Sequence, residues 1–421
     1  MDLFEISGGN RLRGTITVNG SKNAALPIMA ASILTEGETV LKGVPRLEDV
    51  KHLSTILERL GVNVSREENG DIRLKVEDEM NCHAEYEFVR KMRASVCVMG
   101  PLLAKRRHAQ VSLPGGCNIG DRPIDLHIAG MQQLGAESEL VSGDVHLRAK
   151  RLKGNVIFLG GPFGSTVLGT ANVMMAASLA EGTTVIECAA CEPEVVDLAN
   201  YLNACGAHIS GHGTPRITIE GVKELHGCEY TVIPDRIEAG TFMIAAAITN
   251  GDMKIANCRL DHLLALVDRL RAVGVIVERS GDMVQVSSSR RLEPVSVTTQ
   301  PYPGFPTDLQ AQIMVLLCLA DGNSIITEKI FPDRFVHVAE LSRMGARLHK
   351  EGPTVIVEGV KHLIGAPVMA SDLRASAALV LAGLVAKGKT KLSRVYHIDR
   401  GYERIEQRLN AVGADIKRLP E

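Results

Sequence analysis

An α/β fold of two domains, each made from three copies of one helix–strand–helix–hairpin unit, is predicted by three features of this sequence. The first is a repeat: a Leu/Cys/Val/Met-Gly-Ala/Val tripeptide recurs around Gly61, Gly135, Gly206, Gly274, Gly345 and Gly413, 68 to 74 residues apart. A period that long, sustained over 421 residues, means six related units rather than a solenoid of short repeats. The second is a set of six Ala-rich stretches that are apolar on most faces and must therefore be buried. The third is a pair of alternating segments after each of these glycines, joined by a short Gly-containing turn, which signals a β-hairpin.

In chain order, two strands come first, at 3–6 and 14–18. The Ala-rich helices begin near Ser21, Arg93, Thr170, Glu238, Asp308 and Leu373, and all but the second close on a Gly before a strand, as helices commonly do. A second, amphipathic helix follows in each unit; residues 262–273 (HLLALVDRLRAV) carry a charged face, and this helix is expected outside the first. Hairpins such as 62–65 with 72–75, and 275–278 with 284–286, turn at Asn69-Gly70 and Gly281-Asp282. The sixth unit ends at Pro420 without a second hairpin strand, so the two N-terminal strands are assigned to it. Residues 22–233 then form the first domain and residues 1–21 with 234–421 the second, with the chain crossing twice between them.

An apolar fraction of 45% excludes disorder, and a net charge of −2 without a basic run argues against a nucleic-acid surface. The absence of tryptophan and the presence of only six tyrosines leave few stacking platforms. The first residues lack the pattern of a signal peptide and no apolar run approaches a membrane span, so a cytoplasmic protein is expected. Nine scattered cysteines, an odd number, do not form a disulfide framework. Cys188 and Cys191 make one CxxC without a second pair, which reads as structural, and no metal site is expected.

The stretch 111–127, VSLPGGCNIGDRPIDLH, reads as a strand end, a Gly-rich turn and a helix starting at Arg122-Pro123, where the missing N–H of proline costs little. Free N–H groups beside a basic side chain favour phosphate or carboxylate. Cys117 sits at the apex, in positive surroundings that lower a thiol pKa and fit it to act as acid, base or nucleophile. Lys22, Arg93, Arg122 and Arg374 also stand at or near helix N-termini, the end that disfavours cations. Either a bound anion or salt bridges between domains would balance them. Residues 235–238 and 307–310 look like capping boxes. Asp308, on a turn braced by Pro306, suits a carboxylate that takes up a proton at a defined place. Arg400, before Gly401 at another helix start, is a candidate carboxylate or phosphate ligand, with His397, Asp399 and Arg404 as its supports. His127 reads as a satisfied histidine on a half-buried helix, with catalysis as the alternative. Residues 160–165 (GGPFGS) are Gly-rich, yet Pro162 interrupts them as a phosphate loop, and no Walker, dinucleotide or HExxH motif occurs.

Assembled, these segments resemble the enolpyruvyl transferase family, in particular its members that act on a UDP-sugar in bacterial cell-wall synthesis. The resemblance runs from Phe4 nearly to the last residue. It is carried by Lys22-Asn23-Ala24-Ala25, PGGCNIG from Pro114, Arg122-Pro123, Glu192-Pro193-Glu194, Pro234-Asp235-Arg236, Phe305-Pro306-Thr307-Asp308, DLRAS from Asp372 and HIDRGYE from His397, all in family order. It implies two inside-out α/β barrels of three units each, with the active site in the cleft between the domains. It also implies transfer of the enolpyruvyl group of phosphoenolpyruvate to the 3-hydroxyl of UDP-N-acetylglucosamine with release of phosphate. That reaction is the first committed step of peptidoglycan synthesis, on which cell shape and division depend.

By the same resemblance Cys117 is the acid, able to add covalently to phosphoenolpyruvate and to be alkylated by the epoxide fosfomycin, and Asp308 is the base. Lys22, Arg93, Arg122 and Arg400 bind phosphate and carboxylate and offset developing charge. Asn23 and Asp308 touch the sugar; Arg122, Pro123, Ile124, Asp125 and Leu126 hold uracil and diphosphate; Thr166 matches a diphosphate-binding serine; Ile330 adds a sugar-nucleotide contact. No cofactor, metal, nucleic acid or membrane partner is implied, and a monomer is expected. Two other readings stand beside this one. The sister enzyme acting on shikimate 3-phosphate is disfavoured by the Cys-bearing PGGC loop. A UDP-sugar-binding paralogue without turnover is disfavoured by the intact Cys117, Asp308, Lys22 and Arg400.

Overall fold

The computed structural model describes residues 2–113, 123–288 and 291–421. They divide into two compact units: the described residues from 20 to 233, and the residues up to Asn19 together with Pro234–Glu421. Each has its own apolar core.

The first repeat sets the pattern in the unit that spans 20–233. Helix Lys22–Ala31 follows Ser21, whose hydroxyl accepts the Ala24 N–H at 3.3 Å, and it buries all its residues except Asn23. A helix without a solvent face needs cover on every side. The turn Arg93–Val98 and the helices Glu48–Arg59 and Pro193–Ala204 supply it. Strand Glu38–Lys42 and the hairpin Val62–Arg66 with Ile72–Val76 complete the repeat. Their sheet runs in the order Glu229–Thr231, Glu38–Lys42, Ile72–Val76, Val62–Arg66. Tyr230 pairs with Leu41 in parallel, while Val40 faces Arg73 and Val64 faces Leu74 antiparallel. Thr39, Leu41, Ile72 and Leu74 are buried and their neighbours are not, so one sheet face packs on the helices and the other meets water. Helices lie inside and sheets outside.

Among the described residues six four-stranded sheets repeat this order, and none closes on itself. In the other unit, helices Arg236–Ile248, Gln310–Leu317 and Leu373–Val385 pack on one another as the buried centre.

Four local expectations are corrected. The N-terminal strands do not both join the sixth repeat. Asp2–Ser7 does, lying antiparallel between Lys389–Ser393 and Ile416–Pro420. Arg13–Thr17 instead runs parallel to Asp252–Ala256 of the fourth repeat; Gly9, at φ 102°, turns the chain out of the first sheet. The helix expected from Arg122-Pro123 is Asp125–Gln133, preceded by Ile124, which offers no capping side chain. The Ala-rich helix of the second repeat opens as a 3-10 turn over Arg93–Val98, and α geometry begins only at Met99. Pro101 explains this, since proline is tolerated in the first turn of an α-helix and not in its interior. Nor do the Ala-rich helices close on Gly: Arg107 ends this one in the left-handed conformation, φ 61°, and Ser32, Ser178, Thr249, Cys318 and Ala386 cap the other five, the expected glycines lying farther along the chain.

Candidate active site

In the 20–233 unit, Lys22 is the first helical residue after the Ser21 cap, where the helix field disfavours a cation. Its Nζ lies 2.9 Å from Asp49 Oδ2, both side chains being buried. Asp49 sits in the first turn of Glu48–Arg59, the end that favours an acid. A buried pair within this unit thus places the Lys22 charge. Asn23 beside it is half-buried.

Arg93 opens the 3-10 turn that packs on the Lys22 helix, and its Nη2 donates to the Pro123 carbonyl at 3.2 Å. It therefore holds the start of the segment matched to uracil and diphosphate. Pro123 and Asp125 are exposed, Ile124 is buried and Leu126 half-buried. Leu126 lies against Gly161, where a Cβ would come within 3.1 Å of its Cδ1. Gly160–Gly161 pairs with Gly164–Ser165, so the Gly-rich stretch is a small hairpin. Thr166 follows it and caps helix Val167–Ala177, its Oγ1 accepting the Gly169 N–H at 3.2 Å. Cys117 and Arg122 lie outside the described residues.

His127 is buried and structural. Asn172 Nδ2 donates to its Nδ1 at 3.0 Å and to the Val96 carbonyl at 2.9 Å, while Asn172 Oδ1 accepts the Gly100 N–H at 2.8 Å. A ring nitrogen that accepts requires neutral imidazole. Burial, with the Arg93 charge adding to it, pushes its pKa down to about 3. Gly100 is required here, because a Cβ would stand 2.3 Å from the Asn172 carbonyl oxygen.

In the other unit Asp308 lies on the 3-10 turn Thr307–Leu309 behind Pro306. Arg334 Nη1 meets Oδ1 at 2.8 Å, and Arg374 donates to Oδ2 from Nη2 at 3.0 Å and from Nε at 3.2 Å. Arg374 is buried in the first turn of Leu373–Val385, whose cap Asp372 accepts the Arg374 and Ala375 N–H groups. Burial opposes its charge, but Asp308 and Tyr402 outweigh that and its pKa is raised. Arg374 Nη1 also donates to the Tyr402 hydroxyl at 3.2 Å, which lies 2.8 Å from the Thr241 hydroxyl.

The fully buried Glu328 carboxylate holds the other side of the turn. Its Oε1 accepts from the Thr299 hydroxyl at 2.6 Å and from the amides of Ile330 and Phe331 at 2.8 and 3.0 Å; its Oε2 accepts from the Thr307 hydroxyl at 2.9 Å. Arg334 Nη1 donates to Thr307 Oγ1 as well, at 3.0 Å. Glu328 thus fixes Ile330 directly and the turn that carries Asp308 through Thr307. Arg400 is half-buried after Tyr396–Asp399. Burial lowers the pKa of nearby His397, the Arg400 charge lowers it further, and Asp372 opposes both. Asp399 turns to Arg418, at 2.6 Å.

Of the two expected capping boxes, the one at 307–310 is absent: Thr307 turns to Glu328, and the buried Gln310 amide has no partner among the described residues. Asp235 does cap its helix, accepting from Ile237 and Glu238, but Glu238 reaches Asn19 and Arg408 rather than back to Asp235. Arg334, Glu328 and Asp49 were not singled out from the sequence. Only Asp49 carries a signal, as an acid in a helix first turn.

The family described as EPSP synthase (3-phosphoshikimate 1-carboxyvinyltransferase) matches residues 6–409. The UDP-N-acetylglucosamine 1-carboxyvinyltransferase of Methylacidiphilum infernorum is 54% identical over 419 residues, covering 100% of this chain and 99% of its own length. That of Akkermansia muciniphila is 50% identical over 424 residues, with the same coverage. Among solved structures, the enolpyruvyl transferase NikO from Streptomyces tendae matches with a TM-score of 0.90 at 25% identity over 99% of both chains. An EPSP synthase from Acinetobacter baumannii matches in fold, with a TM-score of 0.77 at 20% identity over 100% of both.

Proposed function

The chain belongs to the enolpyruvyl transferase family, and from that premise we propose that it transfers the enolpyruvyl group of phosphoenolpyruvate to the 3-hydroxyl of UDP-N-acetylglucosamine, releasing phosphate. The observation that carries this reading is full-length identity of 50 to 54% with relatives named for that reaction, against 20% with an EPSP synthase. The product commits the sugar to peptidoglycan, and through it to cell shape and division.

Addition and elimination need an acid for the methylene carbon and a base for the sugar hydroxyl. Cys117 is the proposed acid and Asp308 the base. Arg334 and Arg374 hold the Asp308 carboxylate from both oxygens, which supports its use at one fixed place. Lys22, Arg93, Arg122 and Arg400 meet the phosphate and carboxylate groups and stabilise charge as it develops. Pro123, Ile124, Asp125 and Leu126, with Arg122 and Thr166, receive the uridine diphosphate; the Arg93 bond to Pro123 and the packing of Leu126 on Gly161 support that assignment. Asn23, Asp308 and Ile330 face the sugar. The proposed protein is a cytoplasmic monomer, and no helix among the described residues is long and apolar enough to cross a membrane.

The test is phosphate release by the full-length protein. Phosphoenolpyruvate with UDP-N-acetylglucosamine should yield phosphate, and phosphoenolpyruvate with shikimate 3-phosphate should not; the reverse result overturns the reading. In the same assay Cys117→Asp should retain turnover and lose inhibition by fosfomycin. A variant still inhibited would show that fosfomycin acts at a residue other than Cys117.

A further inference from the structure

Two thiols far from the cluster around Asp308 in sequence touch each other: Cys205 Sγ lies 3.4 Å from Cys228 Sγ. Among the described residues no other pair of cysteines is in sulfur contact. Both backbones are fixed. Cys205 closes helix Pro193–Ala204, and its carbonyl accepts the His226 N–H at 2.9 Å. The Gly227 N–H donates to the Glu36 carbonyl at 2.7 Å, and the Cys228 carbonyl accepts the Val40 N–H at 2.9 Å. A disulfide has an S–S length of about 2.0 Å, so bond formation draws together two sulfurs already in van der Waals contact.

The two sulfurs also differ as an oxidisable pair requires. Cys205 is buried at 2% exposure, whereas Cys228 is half-buried. The hydrogen bond between them favours the Cys228 thiolate and holds the Cys205 proton in place; burial strengthens the second effect. A less buried, more acidic thiol beside a buried resolving thiol is the arrangement of a reversible oxidation site.

We propose that Cys205 and Cys228 form a reversible disulfide on exposure to a peroxide. The Cys228 thiolate attacks one peroxide oxygen, breaking the O–O bond and giving a sulfenic acid and hydroxide. The Cys205 sulfur then displaces the sulfenic oxygen, which leaves as water once protonated. Two thiols and one hydrogen peroxide give one disulfide and two waters, and a dithiol reverses the change. The bond would tie the end of Pro193–Ala204 to the segment that continues through Glu229–Thr231 to Ile233, whose carbonyl accepts the Ser21 N–H ahead of Lys22.

The full chain is treated with hydrogen peroxide, its remaining thiols are alkylated after denaturation, and its peptides are mapped by mass. A peptide joining Cys205 to Cys228, lighter by two hydrogens and lost on dithiothreitol treatment, is expected. It should form before the fully buried Cys97 and Cys318 react, and Cys228→Ser should leave Cys205 alkylatable. Alkylation of both residues at peroxide doses that oxidise other cysteines overturns the proposal, as does pairing of either with a different cysteine.

Discussion

Four donors converge on the Glu328 carboxylate, two hydroxyls and two amides. Because Thr307 gives its one proton to Glu328, its oxygen is left to accept from Arg334, whose Nη1 is then shared between Thr307 and Asp308. Glu328→Gln replaces one carboxylate oxygen by an NH2 group, which can only donate and would face a donor. An unmatched buried donor costs about 1–3 kcal/mol, so the unfolding free energy should fall by that amount in denaturant titration. Since Ile330 and Asp308 are both proposed sugar contacts, KM for the UDP-sugar should rise several-fold and KM for phosphoenolpyruvate should change less. Equal rises in both would confine Glu328 to a structural role. His127 gives a second prediction. Its folded pKa is near 3, against 6.5 for an ordinary histidine, so between those values the unfolded chain binds more protons. The native state is therefore unaffected by this ring above about pH 6.5 and loses up to about 1.4 kcal/mol per pH unit below it, until the native ring also protonates. In His127→Asn, the slope of unfolding free energy between about pH 6 and pH 4 should flatten by nearly one proton; an unchanged slope would mean that the buried ring titrates normally. At this scale Lys22 and Arg374 were visible as cations at the wrong helix end, and Asp308 as an acid on a Pro-braced turn. Arg334 and Glu328 were not, because nothing local distinguishes them and only the folded chain brings them to Thr307.

At the scale of elements, periodicity and turn chemistry were legible because both are set within a few residues. The Ala-rich helices and hairpins such as Val62–Arg66 with Ile72–Val76 follow from such local rules, and so does the Gly274 end of the amphipathic helix Leu264–Val273. Helix starts were less legible, since a cap is a competition that distant residues can win. Glu328 takes the Thr307 hydroxyl away from the turn it would cap, and Asn19 and Arg408 take Glu238 away from Asp235. The second repeat shows a further override. Its inner helix is indented by a 3-10 turn because Pro101 must lie in a first turn, and Gly100 beside it lets the Asn172 carbonyl approach. One consequence is that Asn172 reaches Val96, Gly100 and His127 at once, joining the helix that follows Thr166 to the helix that follows Pro123.

At the scale of the molecule, the second unit is a ring of three repeats whose chain order has been rotated. Its sixth repeat forms a hairpin from two strands that no turn joins: Ile416–Pro420 pairs with Asp2–Ser7, Asp2 facing Pro420 and Ile6 facing Ile416. Register there is set by burial rather than by a connecting turn, since Phe4 and Ile6 are fully buried and a slip by one residue would expose them. The equivalent hairpin of the fourth repeat, Val275–Ser280 with Met283–Ser288, has the same safeguard in Val275, Val277, Val284 and Val286, and its Gly281-Asp282 turn is exposed. The break should therefore be movable. A circular permutant that joins residue 421 to residue 1 through Asn-Gly, giving a loop of about four residues suited to a hairpin, and opens between Gly281 and Asp282 should fold cooperatively. Its thermal midpoint should lie within a few degrees of the parent and its phosphate release with the UDP-sugar should persist. A chain lacking residues 2–7 keeps the Gly281-Asp282 turn but loses a strand and the buried Phe4 and Ile6, and it should fail to fold. If the permutant fails as the deletion does, turn closure rather than burial holds these sheets in register, and the equivalence of the repeats would not extend to their folding.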